Sequence, residues 1–159
     1  MELSSITTKS SRATIASAKK FLEKALKEAR EDAPLIFYLE GELGAGKTHF
    51  VKGLAEALGI KDNITSPTFV LMKKYAVSGS AAARQAGKKL FFHIDCYRIY
   101  NEEDARQIGL DKILENPRSI VAVEWAERIA DIVPKPYWKL VFKHIDDKTR
   151  KIVIKNVQR

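Results

Sequence analysis

Gly41-Glu42-Leu43-Gly44-Ala45-Gly46-Lys47-Thr48 constrains this chain more than any other stretch of it. The eight residues satisfy the pattern G-x-x-x-x-G-K-[ST] at every required position. Glycines at those places let backbone N–H groups converge on phosphate oxygens that a side chain would obstruct. Such a loop works only between a buried strand and the first turn of a helix, whose dipole adds partial positive charge. Both flanks are present. Leu35 to Leu39, after Pro34, is a dense apolar run of the kind a buried strand requires. Lys47 to Leu58 sets Phe50, Val51, Leu54, Ala55 and Leu58 on one helical face and stops at Gly59. Lys47 is then expected to reach the β- and γ-phosphates of a nucleotide, and the Thr48 hydroxyl to ligate Mg²⁺.

The other segments read as an α/β arrangement. Ala13 to Arg30 predicts a helix with Ala18, Phe21, Leu22, Ala25 and Ala29 inward; its Lys19, Lys20, Lys24 and Lys27 form a solvated stripe. Strands are expected over Thr68–Val77, Lys89–Ile99, Ser119–Val123, Trp138–Ile145 and Lys151–Val157, the last two hinged at Asp146-Asp147-Lys148. The small polar stretch SGSAAARQAGK, residues 78–88, reads as a mobile loop. Asn101 with Glu102, Glu103 and Asp104 predicts a capped short helix broken at Gly109. Another short helix is expected over Glu127–Val133, ended by Pro134 and Pro136. With 159 residues and no linker or repeat, the expectation is one domain spanning residues 1–159.

A phosphate loop needs an acidic residue at the end of a neighbouring apolar strand to hold or orient the metal. Asp95 ends LFFHI and Glu124 ends SIVAV, and the sequence does not separate their roles. No Asn-Lys-x-Asp stretch for guanine recognition occurs, which favours adenine. Thr65-Ser66-Pro67-Thr68-Phe69 supplies hydroxyls at a distance where a switch-like segment can fold over the γ-phosphate. Cys96 reads as a small buried filler, and His49 and His93 are too scattered to argue a metal centre. Trp125 fits either the core or an aromatic lid beside the nucleotide.

Charge narrows the partners without choosing among them. Lys and Arg number 28 against 20 Asp and Glu, a net +8 that favours phosphates, nucleic acid or an acidic protein face. One cysteine excludes an internal disulfide framework. No stretch has the length of apolar sequence needed to span a membrane, and the first dozen residues lack the apolar run of a secretory signal. The expected location is cytoplasmic.

In order along the chain, GELGAGKTHF, SPTF, HIDCYR and VEWAER resemble the bacterial tRNA threonylcarbamoyladenosine biosynthesis ATPases, the TsaE (YjeE) proteins. The resemblance implies a P-loop NTPase fold with a mixed β-sheet flanked by helices. It implies ATP and Mg²⁺ as cofactors, with Glu42, Leu43, Gly44, Ala45, Gly46, Lys47 and Thr48 around the phosphates and Thr48 and Glu124 at the metal. Asp95 lies near the nucleotide and serves hydrolysis in that family, so Lys47, Asp95 and Glu124 become the expected catalytic set. Trp125 stands beside the metal acid and Thr68 in the switch-like segment. Arg150, near the start of the last strand, and Ser11, on the adenine side, are the further carry-overs. His49 stands where many relatives carry a second Thr. The implied function is an auxiliary ATPase for modification of the adenosine next to the tRNA anticodon. Its partner there is a two-subunit threonylcarbamoyl transferase, a catalytic subunit with its non-catalytic paralogue, and tRNA is met indirectly or transiently.

Two other readings share the phosphate loop. A small-molecule kinase would need lid cations, which Arg84, Lys88 and Lys89 could imitate. A nucleotide-gated binding module would hold RNA or protein through its basic N-terminal helix.

Overall fold

Strands that are apolar at every position must be covered on both faces, and that requirement organises the molecule. In the computed structural model, residues 3–67 and 71–158 are described. Seven strands, β1 (Leu3–Thr8), β2 (Leu35–Gly41), β3 (Met72–Ala76), β4 (Leu90–Asp95), β5 (Ser119–Glu124), β6 (Tyr137–His144) and β7 (Arg150–Val157), form one sheet. Its order is β1-β7-β6-β2-β5-β4-β3. The central β6, β2, β5 and β4 are mutually parallel, while β7 and β3 run antiparallel to their neighbours. The sheet is therefore mixed and flanked by helices, as expected.

Alternation sends the side chains of each central strand to two separate cores. Phe37, Leu39, Phe91, Ile120, Ala122, Leu140 and Phe142 meet α1 (Ser11–Lys27) and α2 (Lys47–Ala57) through Phe21, Leu22, Phe50, Val51 and Leu54. Ile36, Tyr38, Phe92, Ile94, Val121 and Val123 face Ala105 of α4 (Glu102–Gln107) and Leu110 and Leu114 of α5 (Leu110–Glu115). Each fully buried Leu or Phe contributes about 2 kcal/mol to holding these layers together. The Ser10 hydroxyl caps α1 by accepting the Ala13 N–H at 3.0 Å.

Several expectations shift. Residues 78–88 are not a bare loop: Ala81–Gln85 form α3, with the Ser80 hydroxyl accepting the Ala83 N–H at 3.1 Å. Three consecutive alanines favour a helix once a cap is available. The first dozen residues carry β1, which pairs with β7 across six register positions and which the sequence reading passed over. Of the strand expected over Thr68–Val77, residues 68–70 lie outside the described set and β3 occupies Met72–Ala76. The strand expected to reach Ile99 ends at Asp95, because the chain turns there, the Ile99 N–H donating to the Cys96 carbonyl at 3.0 Å. The helix expected over Glu127–Val133 is a 3₁₀ segment, Ala126–Ile132. Gly109 separates α4 from α5, a helix the sequence reading did not anticipate. No helix among the described residues is long and apolar enough to cross a membrane.

Candidate active site

The phosphate loop leaves β2 and enters α2 at the carboxyl ends of the parallel strands, where open α/β sheets place their ligands. Gly44 and Gly46 adopt φ of 76° and 101°, left-handed values that side chains resist. Gly46 caps α2 without any side-chain hydrogen bond, so the helix's first N–H groups keep their donors for an anion. Lys47 is 4% exposed and folds back over the loop, donating to the Glu42 carbonyl at 3.0 Å and to the Gly41 carbonyl. Two of its three ammonium donors are thereby engaged. Burial lowers the Lys47 pKa, against the pull of Glu124, Glu127 and Asp95, which favour the charged form.

Strand register assembles the acids. Leu39 of β2, Glu124 of β5 and Asp95 of β4 stand in one row across three adjacent strands. Glu124 Oε1 accepts the Thr48 hydroxyl at 2.9 Å, and Oε2 lies 2.5 Å from His93 Nε2. Asp95 accepts the Ser66 hydroxyl at 2.6 Å and the Tyr97 N–H at 2.9 Å. Glu124 and Asp95 are each 3% exposed. Burying a polar group without hydrogen-bond partners is costly, and each of these carboxyl groups has partners.

These groups line a cavity of about 400 Å³ bounded by Leu43 to His49, Ser66, Asp95, Tyr97, Glu124 and Trp125. Trp125 holds a left-handed φ of 55° directly after Glu124, and its ring sits 4.3 Å from Lys47 Nζ. It is half-buried and lines the cavity. Tyr97 packs against it at 5.1 Å between ring centroids.

A second cavity, about 240 Å³, lies beside the same loop and shares Gly44, Gly46 and His49. Ser11 and Arg150, far apart in sequence, both line it, with Lys9, Thr14 and Lys148. The Arg150 guanidinium donates to the Asp146 carbonyl at 3.0 Å. Glu42 contributes its carbonyl to the loop while its side chain is exposed. Thr68 lies outside the described residues. Two site neighbours carry no site role in the sequence reading: His93, set aside there as a metal ligand, and Tyr97, quoted only within HIDCYR. His93 is two residues before Asp95 on the same strand face, and that spacing was the available signal.

The donor set suits Mg²⁺, which is held by one or two protein groups while phosphates and water fill its remaining positions. Thr48 and Glu124 already touch, and no cluster of three or more His, Cys, Asp or Glu that would form an all-protein cage occurs among the described residues. The cations offered for a kinase lid are elsewhere. Lys88 Nζ donates to the carbonyls of Arg30, Ala33 and Pro117 at 2.8, 2.6 and 2.7 Å, beneath the amino ends of β2 and β5. Arg84 donates to the Ser78 carbonyl.

A phosphate loop at the carboxyl ends of parallel strands, with its acid on the adjacent strand, defines the fold as that of the P-loop NTPases. The family profile described as "Threonylcarbamoyl adenosine biosynthesis protein TsaE" matches residues 8–152. The chain belongs to the TsaE family. It is 37% identical over 117 residues to the Bacillus subtilis tRNA threonylcarbamoyladenosine biosynthesis protein TsaE, a match covering 74% of this chain and 66% of that relative. The namesake from Haemophilus influenzae is 33% identical over 129 residues, 81% of this chain and 75% of the relative. Among solved structures, the crystal structure of YdiB from Bacillus subtilis superposes with a TM-score of 0.73 at 29% identity, covering 98% of this chain and 86% of that one.

Proposed function

We propose that this chain is a single-domain, Mg²⁺-dependent ATP hydrolase that serves as the auxiliary subunit of a tRNA threonylcarbamoyladenosine transferase. The observation that carries the reading is the Thr48–Glu124 contact at the mouth of the phosphate loop, in a chain whose family match runs from residue 8 to 152.

In this reading the backbone donors of Gly44 to Thr48 and the Lys47 ammonium bind the phosphates, and Lys47 meets the charge that grows on them during transfer to water. Thr48 and Glu124 would hold Mg²⁺, which would supply charge neutralisation to the phosphates. Glu124, whose Oε1 meets Thr48, takes the metal side, and Asp95, held by the Ser66 hydroxyl and the Tyr97 N–H, is assigned to orient the attacking water and accept its proton. The Ser66 hydroxyl donates to Asp95, so the position of Ser66 and that of the water are linked. Trp125 and Tyr97 wall the cavity against bulk water. Ser11 and Arg150 flank the base in the second cavity.

Mg²⁺-dependent ATP hydrolysis by the full chain, alone and with the purified two-subunit transferase, tests this. Slow turnover alone, stimulation by the pair and loss of both in Lys47→Ala are expected. Near-normal hydrolysis in Lys47→Ala would remove the catalytic assignment; indifference to the pair would remove the partner. Asp95→Asn should cut turnover while sparing Mg²⁺-ATP binding, and Glu124→Gln should weaken the response to Mg²⁺.

A further inference from the structure

His93 is fully buried, and neither the phosphate loop nor the water-orienting step uses it. On the face of the sheet toward α2, three rows run across adjacent strands. Leu35, Ile120 and Phe91 form the first, Phe37, Ala122 and His93 the second, and Leu39, Glu124 and Asp95 the third. His93 therefore stands beside Ala122, a methyl group, and one row below Glu124. That small neighbour leaves room for the imidazole to lean diagonally across β5, a reach open to ring side chains in a sheet. Its Nε2 ends 2.5 Å from Glu124 Oε2.

The other nitrogen decides the proton's place. His93 Nδ1 is buried and has no hydrogen-bond partner among the described residues. Nε2 faces an acceptor, so the neutral ring carries its proton on Nε2 and leaves a bare lone pair at Nδ1. A proton on Nδ1 would bury a donor with nothing to receive it, at the larger cost. Glu124 is thus held at both oxygens, by an imidazole N–H on one and by the Thr48 hydroxyl on the other.

We infer that His93 is a positioning residue for the metal-facing carboxylate: its Nε2–H fixes Glu124 so that Oε1 meets Thr48. The inference rests on the reading of Thr48 and Glu124 as the Mg²⁺ pair. Outer partners of this kind spare a ligand the disorder it would otherwise lose when metal binds, and their removal costs about 10- to 100-fold in metal affinity or activity.

Calorimetric titration of the full chain with ATP, in Mg²⁺ and in EDTA, isolates the effect without turnover. In the native protein Mg²⁺ should tighten ATP binding. His93→Phe keeps a ring and loses the donor, so the tightening by Mg²⁺ should fall about 10- to 100-fold while affinity in EDTA stays unchanged. His93→Gln returns an N–H and should recover part of the loss. A native Mg²⁺ response in His93→Phe, or a Gln variant no better than Phe, overturns the inference. Should His93→Phe not fold, ring ¹⁵N resonances of the native protein decide instead. An Nε2–H tautomer with slow proton exchange supports the assignment, and an Nδ1–H or mixed tautomer refutes it. Native ATP binding that ignores Mg²⁺ would remove the reading of Thr48 and Glu124 itself, and this one with it.

Discussion

Gly53, in the middle of α2, packs directly against α1, and Gly53→Ala measures how rigidly the two helices are set. A Cβ at Gly53 would lie 2.4 Å from the Ile15 carbonyl oxygen and 2.6 Å from Ala18 Cβ, both on α1. Ordinary contact is about 3.5 Å, so each approach is about 1 Å too short. The Ile15 oxygen is backbone and cannot rotate away; α1 and α2 must part. Overpacking by one methyl costs roughly 1–3 kcal/mol, and a backbone clash belongs at the upper end. Alanine returns about 1 kcal/mol of helix propensity. The net is a loss of about 2 kcal/mol, or about 4–8 °C in Tm for a chain of this size. Because Ser11 and Thr14 of α1 line the second cavity, KM for ATP should also rise with little change in kcat. Gly87→Ala is the control, since nothing lies within 4 Å of its Cβ position and only its left-handed φ of 72° counts against it, about 1 kcal/mol. Thermal melts followed by circular dichroism, with denaturant midpoints, give both values. A Gly53→Ala protein as stable as the native one would refute the rigid-pair argument.

Lys88→Met removes a buried ammonium that donates to three carbonyls and should cost about 3 kcal/mol in denaturant unfolding, while kcat/KM at low temperature stays native because the site is at the other end of the strands. A destabilisation below about 1 kcal/mol would mean that those carbonyls do not depend on the ammonium. Cys96, with its thiol pushed up to about 12 mainly by burial and further by Asp95 and Glu127, should resist alkylation at pH 8.5 until the chain is unfolded. Its folded pKa lies above the ordinary 9.0, so its contribution to stability is complete below pH 9 and is lost as pH rises toward 12. Cys96→Ala should flatten that alkaline decline, and an unchanged slope in denaturant midpoint against pH would count against it. Trp125 sits in the left-handed region, so Trp125→Gly should be more stable than Trp125→Ala by about 1 kcal/mol, and equal midpoints would contradict the backbone reading.

Features that depend on near neighbours in sequence were legible. The phosphate loop, β2, α2 and the acids ending β4 and β5 are each written within about ten residues, because glycine spacing and apolar runs act locally. Features that depend on pairing across the chain were not. In β1, Ile6 is the only large apolar residue facing toward the core, and its strand character comes from the β7 ladder. Lys88 looks like one more surface lysine until two loops bring three carbonyls to it. His93 looked stray because its meaning lies in a register shared with Ala122 and Glu124. The helix at Ala81–Gln85 is a different case: small polar residues suggest a loop, although alanine is the best helix former and Ser80 is a good cap.

The two ends of the parallel strands settle opposite accounts. At the amino ends, three carbonyls from two loops converge on one ammonium, and the hydrogen bonding closes within the protein. At the carboxyl ends, the uncapped first turn of α2 and the third donor of Lys47 remain available to an anion, while Glu124 and Asp95 face the same cavity with negative charge. A bare phosphate would answer the donors and repel the acids. A bare cation would answer the acids and repel Lys47. Only a ligand that brings both signs satisfies the two sets together, and a polyphosphate carrying Mg²⁺ is such a ligand.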